Sequence, residues 1–365
     1  MARRNDGIGE EGELFATHIG GSALPEGVMM RGKLSWAAAV REPSGRIYVE
    51  EHELPAVAER PAWQRLPIVR GCVSFVESMV LSYKAMCVAS DHAYDDEGET
   101  YASLLASGRV RPAAAGETTG AVDGSAGDEG AAPADAAPVS SPEPMSSAAF
   151  GLSMALGLVL GVVLFMAIPV AVANLLVGDY SPANAIAWNL VEAILRIVIF
   201  VAYIWAVGLM PDMRRLFGYH GAEHLTIHCF EHGLPLTPTN AARFSRLHVR
   251  CGTAFLIMTM IVAILVNTLV PVASWAEGLG LAGVGRAAFV LASRLVLLPL
   301  VAGVSYEVTV KWAGAHPDLW LVKLVLWPGL QMQRLTTRVP DEGMLECAIA
   351  AMERVRATEL AAGLE

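Results

Sequence analysis

Residues 186–210 read IAWNLVEAILRIVIFVAYIWAVGLM, with only Glu192 and Arg196 charged. A helix crosses the hydrocarbon core of a bilayer in ~20 apolar residues, and inside that core only helices or closed barrels satisfy every backbone group. The segment is therefore expected to be a membrane-spanning helix. Outward from it, 149–175, 252–275 and 287–313 have the same length and character, so four spans are expected. The whole chain agrees: 54% of its 365 residues are hydrophobic and its mean hydropathy is +0.46, too apolar for an ordinary soluble domain.

Charge sets the expected orientation. Arg214, Arg215, Arg243, Arg246 and Arg250 crowd the segment 211–251, whereas 178–185 has no basic residue. The positive-inside bias then places 211–251 and both termini in the cytoplasm. Arg3 and Arg4 precede no apolar core with a cleavage site, so no cleaved signal peptide is expected. Five cysteines, an odd number in cytoplasmic or helical stretches, argue against a disulfide framework. The net charge of −10 is carried largely by the linker and the acidic 91–100 run, and no basic, aromatic-rich patch points to nucleic acid.

The expected fold class is mainly α, a polytopic membrane protein with amphipathic interfacial helices and a small N-terminal β-containing cytoplasmic unit. Residues 1–13 read as a flexible N-terminus. In the β unit, 14–60, strand character marks Val28–Arg31, Trp36–Val40 and Ile47–Glu51, with turn chemistry at Pro43-Ser44-Gly45. Along 66–90 a narrow polar stripe (Arg70, Glu77, Lys84) on an apolar rod predicts an amphipathic helix that lies in the interface or packs on the transmembrane bundle, with a fifth span as the weaker alternative. Residues 106–147, poor in large apolar side chains, read as a disordered linker. The transmembrane domain is expected over 148–314, an interfacial amphipathic segment over 318–335, and a soluble packing helix over 340–362 with Met344, Leu345, Ala348, Met352 and Val355 on a helical period. Gly157-x-x-x-Gly161 permits close helix approach within the first span. The pair Glu192 and Arg196, one turn apart, reads as an ion pair or as the lining of a polar cavity.

Between the second and third spans lies Tyr219-His220-Gly-Ala-Glu223-His224, followed by His228, Cys229, Glu231 and His232, then His248-Val-Arg-Cys251. In a helix, His220, His224 and His228 stand one turn apart, but the outer two are ~12 Å apart along the axis and do not easily share one ion. The economical metal set is His220 and His224 with His248 and Cys251, donors suited to zinc, with iron or manganese if carboxylates enter. His220-x-x-Glu223-His224 also matches the inverted zinc-protease signature, in which the glutamate is the general base. Glu223 is thus the candidate catalytic residue. Four ligands would close the coordination sphere of a structural ion, so catalytic and structural roles both stay open, as does a merely hydrogen-bonded histidine cluster. His232, beside Gly233, reads as a helix C-terminal residue.

Four motifs, His18-Ile-Gly-Gly21 through Glu26-Gly27-Val-Met-Met30-Arg31-Gly32, Tyr219–His224, Arg246-Leu-His248-Val-Arg250-Cys251-Gly-Thr253 and Gln333-Arg334-Leu-Thr-Thr337-Arg338, occur in the order in which they occur in the YqhQ-like bacterial membrane proteins, the domain of unknown function numbered 1385, which the chain resembles. Leu225 and Val249 stand where that family usually has Lys and Pro. The resemblance implies a multi-pass protein of the bacterial inner membrane with a metal-dependent activity, and carries the candidate positions His220, Glu223, His224, His248 and Cys251. It implies no substrate. Two functions compete: a hydrolase with a zinc-type divalent metal, and a non-enzymatic factor in membrane-protein biogenesis or translocation whose structural metal staples the cytoplasmic cap and whose partners are other membrane proteins. Transport is disfavoured, because no internal repeat or paired broken helices are visible.

Overall fold

The structure, a computed structural model, describes residues 17–54, 61–95, 97–110, 156–157, 159–178, 180–181, 183–248, 251–281, 283–313, 316 and 319–364. The expected flexible N-terminus 1–13 and nearly all of the expected linker 106–147 lie outside the described residues.

Four antiparallel strands in the order β1-β2-β3-β4 open the chain: β1 Gly20–Leu24, β2 Gly27–Arg31, β3 Ser35–Arg41 and β4 Ile47–Glu53. Three coincide with the expected strands, and β1 is additional. Its Gly-Gly-Ser start carries no β-branched signal, and it becomes a strand by pairing Gly20–Leu24 with Arg31–Gly27. β3 is buried along its whole length, because the sheet is covered on both faces. One face meets α1 (Val69–His92), through Leu24, Met29, Trp36, Ala38 and Val40 against Leu81, Ala85, Val88 and Ala89.

α1 is long and apolar enough to cross a membrane. Its second half lies on the sheet, whereas its first half packs on α9 (Gly283–Tyr306), where Gly71 meets Tyr306 and Gly303. A side chain at either glycine would collide, so the two helices cross at van der Waals contact of their backbones. Arg70 clamps Glu307 there with two hydrogen bonds, 2.7 and 2.5 Å. Packing on the apolar bundle is one of the two placements expected of this helix, whereas its packing on the sheet was not expected.

A short helix α2 (Tyr101–Ala106) follows. Helices α3 (Ile168–Val177) and α4 (Ala185–Val207) form a compact unit of their own. A π-helical turn at Val163–Ala167 precedes α3, and Asn174 Oδ1 accepts the indole N–H of Trp188 at 2.7 Å. Glu192 and Arg196 pair with one another one turn apart on α4, the arrangement expected of an intrahelical ion pair.

After Gly208 the chain returns to the unit that holds the sheet. There follow α5 (Pro211–Glu231), a single turn α6 (Pro238–Ala241), α7 (Gly252–Leu269), α8 (Val272–Gly278), α9 with a π-helical continuation Glu307–Trp312, α10 (Trp320–Thr336) and α11 (Glu342–Ala361). Among the described residues, four helices are long and apolar enough to span a membrane: Val69–His92, Val159–Val177, Ile186–Val207 and Ala288–Trp312. The number agrees with expectation, but one member differs. The expected span 252–275 is interrupted, because Pro271 starts a new helix after α7 ends at Leu269. α7 packs instead on α9 and α10 through Met258, Val262, Val301 and Val325.

The second face of the sheet is covered by α11 and α5. Val28, Met30, Ala37 and Ala39 meet Met344, Leu345, Ala348, Met352 and Val355 of α11, with Tyr219 and Ala222 of α5 in the same core. Each fully buried side chain of this kind contributes roughly 1.5–3 kcal/mol of transfer free energy. Charge pins the same contact. Arg41 bonds Glu346 at 2.6 Å, Arg354 bonds Glu51 at 2.7 Å, and the buried Glu359 takes His18 Nε2 and the Lys33 N–H, each at 2.6 Å. The expected β unit 14–60 and the expected packing helix 340–362 are therefore two layers of one core, with α5 beside them.

Candidate metal centre

α5 is built to be an interior helix. Pro211 occupies its first position, the fixed φ of proline being already helical, and Gly233 in the left-handed conformation (φ 65°) ends it. His232 is the C-cap, its Nδ1–H donating to the His228 carbonyl at 2.7 Å, as expected of a helix C-terminal residue. From Phe217 to Glu231 every residue but His220 and His228 is buried. The interior position has a steric condition at Gly221, where a Cβ would run into the carbonyl oxygen of Arg338. The segment 336–340 crosses the helix at that point, and the Arg338 N–H donates to the Phe217 carbonyl at 2.7 Å.

Two groups of three donors stand side by side. His220, His224 and Cys251 each offer one donor atom within 4.8 Å of the others, and so do His228, Glu231 and His248. The rings of His224 and His248 are 5.6 Å apart, and those of His228 and His248 are 4.9 Å apart. The expected set is thus brought into one neighbourhood but divided: His220, His224 and Cys251 stay together, while His248 joins His228 and Glu231. The helical separation of His220 from His228 is the physical reason, since α5 presents its histidines along a line rather than around a point. His228 and Glu231 fall outside the expected set. Their i, i+3 spacing was the signal that pairs them.

Backbone carbonyls orient the imidazoles. His220 Nδ1 faces the Thr336 carbonyl at 2.9 Å, and His224 Nδ1 faces that of Arg246 at 2.5 Å. A nitrogen against a carbonyl carries the proton, so both rings keep the Nε2 lone pair for another partner. For His220 that partner is the Cys251 sulfur at 3.0 Å. Nε2 of His224 is buried with no hydrogen-bond partner. His228 donates Nε2–H to the Leu247 carbonyl at 3.0 Å, which frees Nδ1. Glu231 accepts the Thr17 N–H on Oε1 at 3.0 Å, and its Oε2 is 3.7 Å from His248 Nε2. Gln333 grips the His248 backbone from both sides, N–H to Oε1 and Nε2 to carbonyl, each 2.7 Å. The Gln333–Arg338 motif thereby acquires a role that spacing alone did not show.

Burial disfavours the charged forms of His224, His228 and Glu223. It lowers the pKa of His224 and pushes that of His228 down to about 4. It pushes Glu223 up to about 7, opposed by nearby His220 and by the backbone N–H of Gly21. Glu223 lies against β1, where a Cβ on Gly21 would touch its Cγ at 2.9 Å, and it belongs to neither donor group. Cys229 is pushed up to about 11 by burial and stays a thiol. The N-terminal motif reaches the same helix by another route: Glu26, at a left-handed φ of 50°, receives both Arg215 donors at 2.6 Å, and the Tyr219 hydroxyl at 3.3 Å.

Two imidazole nitrogens and a cysteine sulfur, largely buried, could hold a metal ion, and the Nε2 of His224 is the kind of buried atom that an ion satisfies. The family model described as "Protein of unknown function (DUF1385)" matches residues 66–358. The uncharacterized protein YqhQ of Bacillus subtilis (strain 168) is 30% identical over 346 residues, which cover 92% of this chain and 91% of that protein. No solved structure matches.

Proposed function

The chain belongs to the DUF1385 family, a family of unknown function, and on that premise we propose that it is a multi-pass membrane hydrolase with a zinc-type metal centre on α5. The observation that carries this is the buried Nε2 of His224, which has no hydrogen-bond partner and sits in a group with His220 and Cys251. An unsatisfied buried acceptor costs ~1–3 kcal/mol, which a cation would offset. His220, His224 and Cys251 would hold the ion, three protein donors being the number usual in catalytic zinc sites. When bound, the ion supplies Lewis acidity for hydrolysis of a polarised bond. Glu223, with its pKa raised to about 7 and His220 nearby, is the group able to hold and release a proton near neutral pH. His228, Glu231 and His248 give the centre a place for a second ion. The centre and both termini face the cytoplasm of a bacterial inner membrane.

A second function is favoured by one observation: the donors tie α5, the 246–251 segment and the end of α10 together. That is what a structural ion does, and it fits a non-enzymatic factor in membrane-protein biogenesis whose partners are other membrane proteins. Metal analysis of detergent-purified protein separates the cases. About one equivalent or more is expected in the wild type, with one equivalent lost in His224→Ala. Glu223→Gln keeps the metal and the fold but loses hydrolytic turnover if the hydrolase is right, whereas an unchanged Glu223→Gln in a protein destabilised by chelation identifies the staple. Folded wild-type protein without stoichiometric metal would sink both.

A further inference from the structure

On the other side of α5 lies a cleft of about 640 Å³ lined by Arg214, Arg215, Arg246, Arg338 and Asp341, with Leu209 and Val339 also on its wall. Arg215 is neutralised by Glu26, and Asp341 Oδ1 is engaged as the N-cap of α11, accepting the Met344 N–H at 2.8 Å. No carboxylate among the described residues pairs with Arg214, Arg246 or Arg338. Arg246 gives one Nη1–H to the Thr337 carbonyl at 2.9 Å, which leaves the rest of its fork open. Arg338 Nε is buried with no partner at all. Three unneutralised guanidiniums therefore converge with one carboxylate, and one of them holds an unsatisfied donor away from water, at a cost that an oxyanion would remove.

Two exposed apolar residues, Leu209 and Val339, 60% and 82% accessible, flank this charge. Arginines beside exposed apolar side chains suit an anion that carries an apolar tail, as a lipid phosphate does.

We propose that this cleft binds a phosphate-bearing anion, by bidentate contacts from Arg246 and Arg338 and charge from Arg214. It adjoins the donor groups through Arg246, whose carbonyl faces His224, but the groups that meet the anion are guanidiniums and not the metal donors. The phosphate comes either from a lipid headgroup at the bilayer surface or from a soluble phosphate, and the chemistry recognised is the same.

The test uses the full-length protein in non-ionic detergent, with the thermal unfolding midpoint followed on addition of phosphatidylglycerol, of the corresponding diacylglycerol without phosphate, or of inorganic phosphate against chloride at equal ionic strength. Stabilisation by phosphatidylglycerol but not diacylglycerol is expected, with apparent affinity reduced about tenfold in Arg338→Gln, the scale of one charge-assisted hydrogen bond. Arg214→Gln, at an exposed side chain whose loss leaves the fold intact, is expected to weaken binding less and to flatten its salt dependence. Stabilisation by phosphatidylglycerol alone identifies a lipid ligand, and stabilisation by inorganic phosphate a soluble one. If neither stabilises the protein, or if both arginine variants respond as the wild type does, the proposal is overturned.

Discussion

Gly221 shows how much one residue controls. It sits between His220 and Glu223, and the carbonyl of Arg338 occupies the space that a Cβ would need. Gly221→Ala must push the 336–340 segment away from α5, with an overpacking cost of about 1–3 kcal/mol. The same displacement moves the Thr336 carbonyl that orients His220. The variant is expected to fold with a lowered unfolding midpoint and, in metal analysis, with less bound metal; an alanine variant with unchanged metal content and midpoint would mean that the close approach is unimportant. The donor residues themselves were legible, since histidines four apart on a helix share a face. Their division into two groups was not, because that depends on where a carbonyl 116 residues away meets the His220 ring.

At the scale of elements, helix ends do much of the positioning. Asp341 caps α11 through the Met344 N–H and closes the segment that crosses α5. Asp341→Ala removes that cap at a cost of about 1 kcal/mol. Because Asp341 also lines the arginine cleft, the variant has two expected effects of opposite sign: a lower unfolding midpoint in the absence of phosphate, and tighter anion binding where a carboxylate has gone. Calorimetric unfolding with and without phosphate measures both, and a variant with neither change would remove Asp341 from both roles. α1 and α7 show where periodicity misleads. Both are apolar, but Pro271 follows closely on α7, whereas α1 runs for 24 residues because half of it has a sheet to lie on. Apolar length measures what a helix needs to bury and does not say whether lipid or protein buries it.

The molecule as a whole is closed by its two ends. β1 to β4 near the start and α11 near the finish share one core, with Glu359 receiving His18 and Lys33 across more than 300 positions of chain. Truncation before Glu342 strips Met344, Leu345, Ala348, Met352 and Val355 from the sheet. At roughly 1.5–3 kcal/mol for each of Met344, Leu345, Met352 and Val355, the loss is comparable with the ~5–15 kcal/mol that holds a whole domain together. The truncated protein is expected to aggregate on detergent extraction, as followed by size-exclusion chromatography, and a monodisperse peak would show that α11 is dispensable.

Composition and local pattern determined the mainly helical character, the span-length helices near 186–207 and 288–312, three of the four strands, and the histidine-bearing helix with its Glu223 and its C-terminal His232. Each follows from interactions within a few turns of chain, or from the cost of leaving ~20 apolar residues in water. Tertiary structure alone decided that β1 pairs, that the sheet lies between α1 and α11, that His248 sides with His228 and Glu231, and that arginines from three separate segments line one cleft. These depend on contacts between segments tens to hundreds of residues apart. Such contacts follow from which buried surfaces fit together, and a linear pattern records the surfaces without their partners.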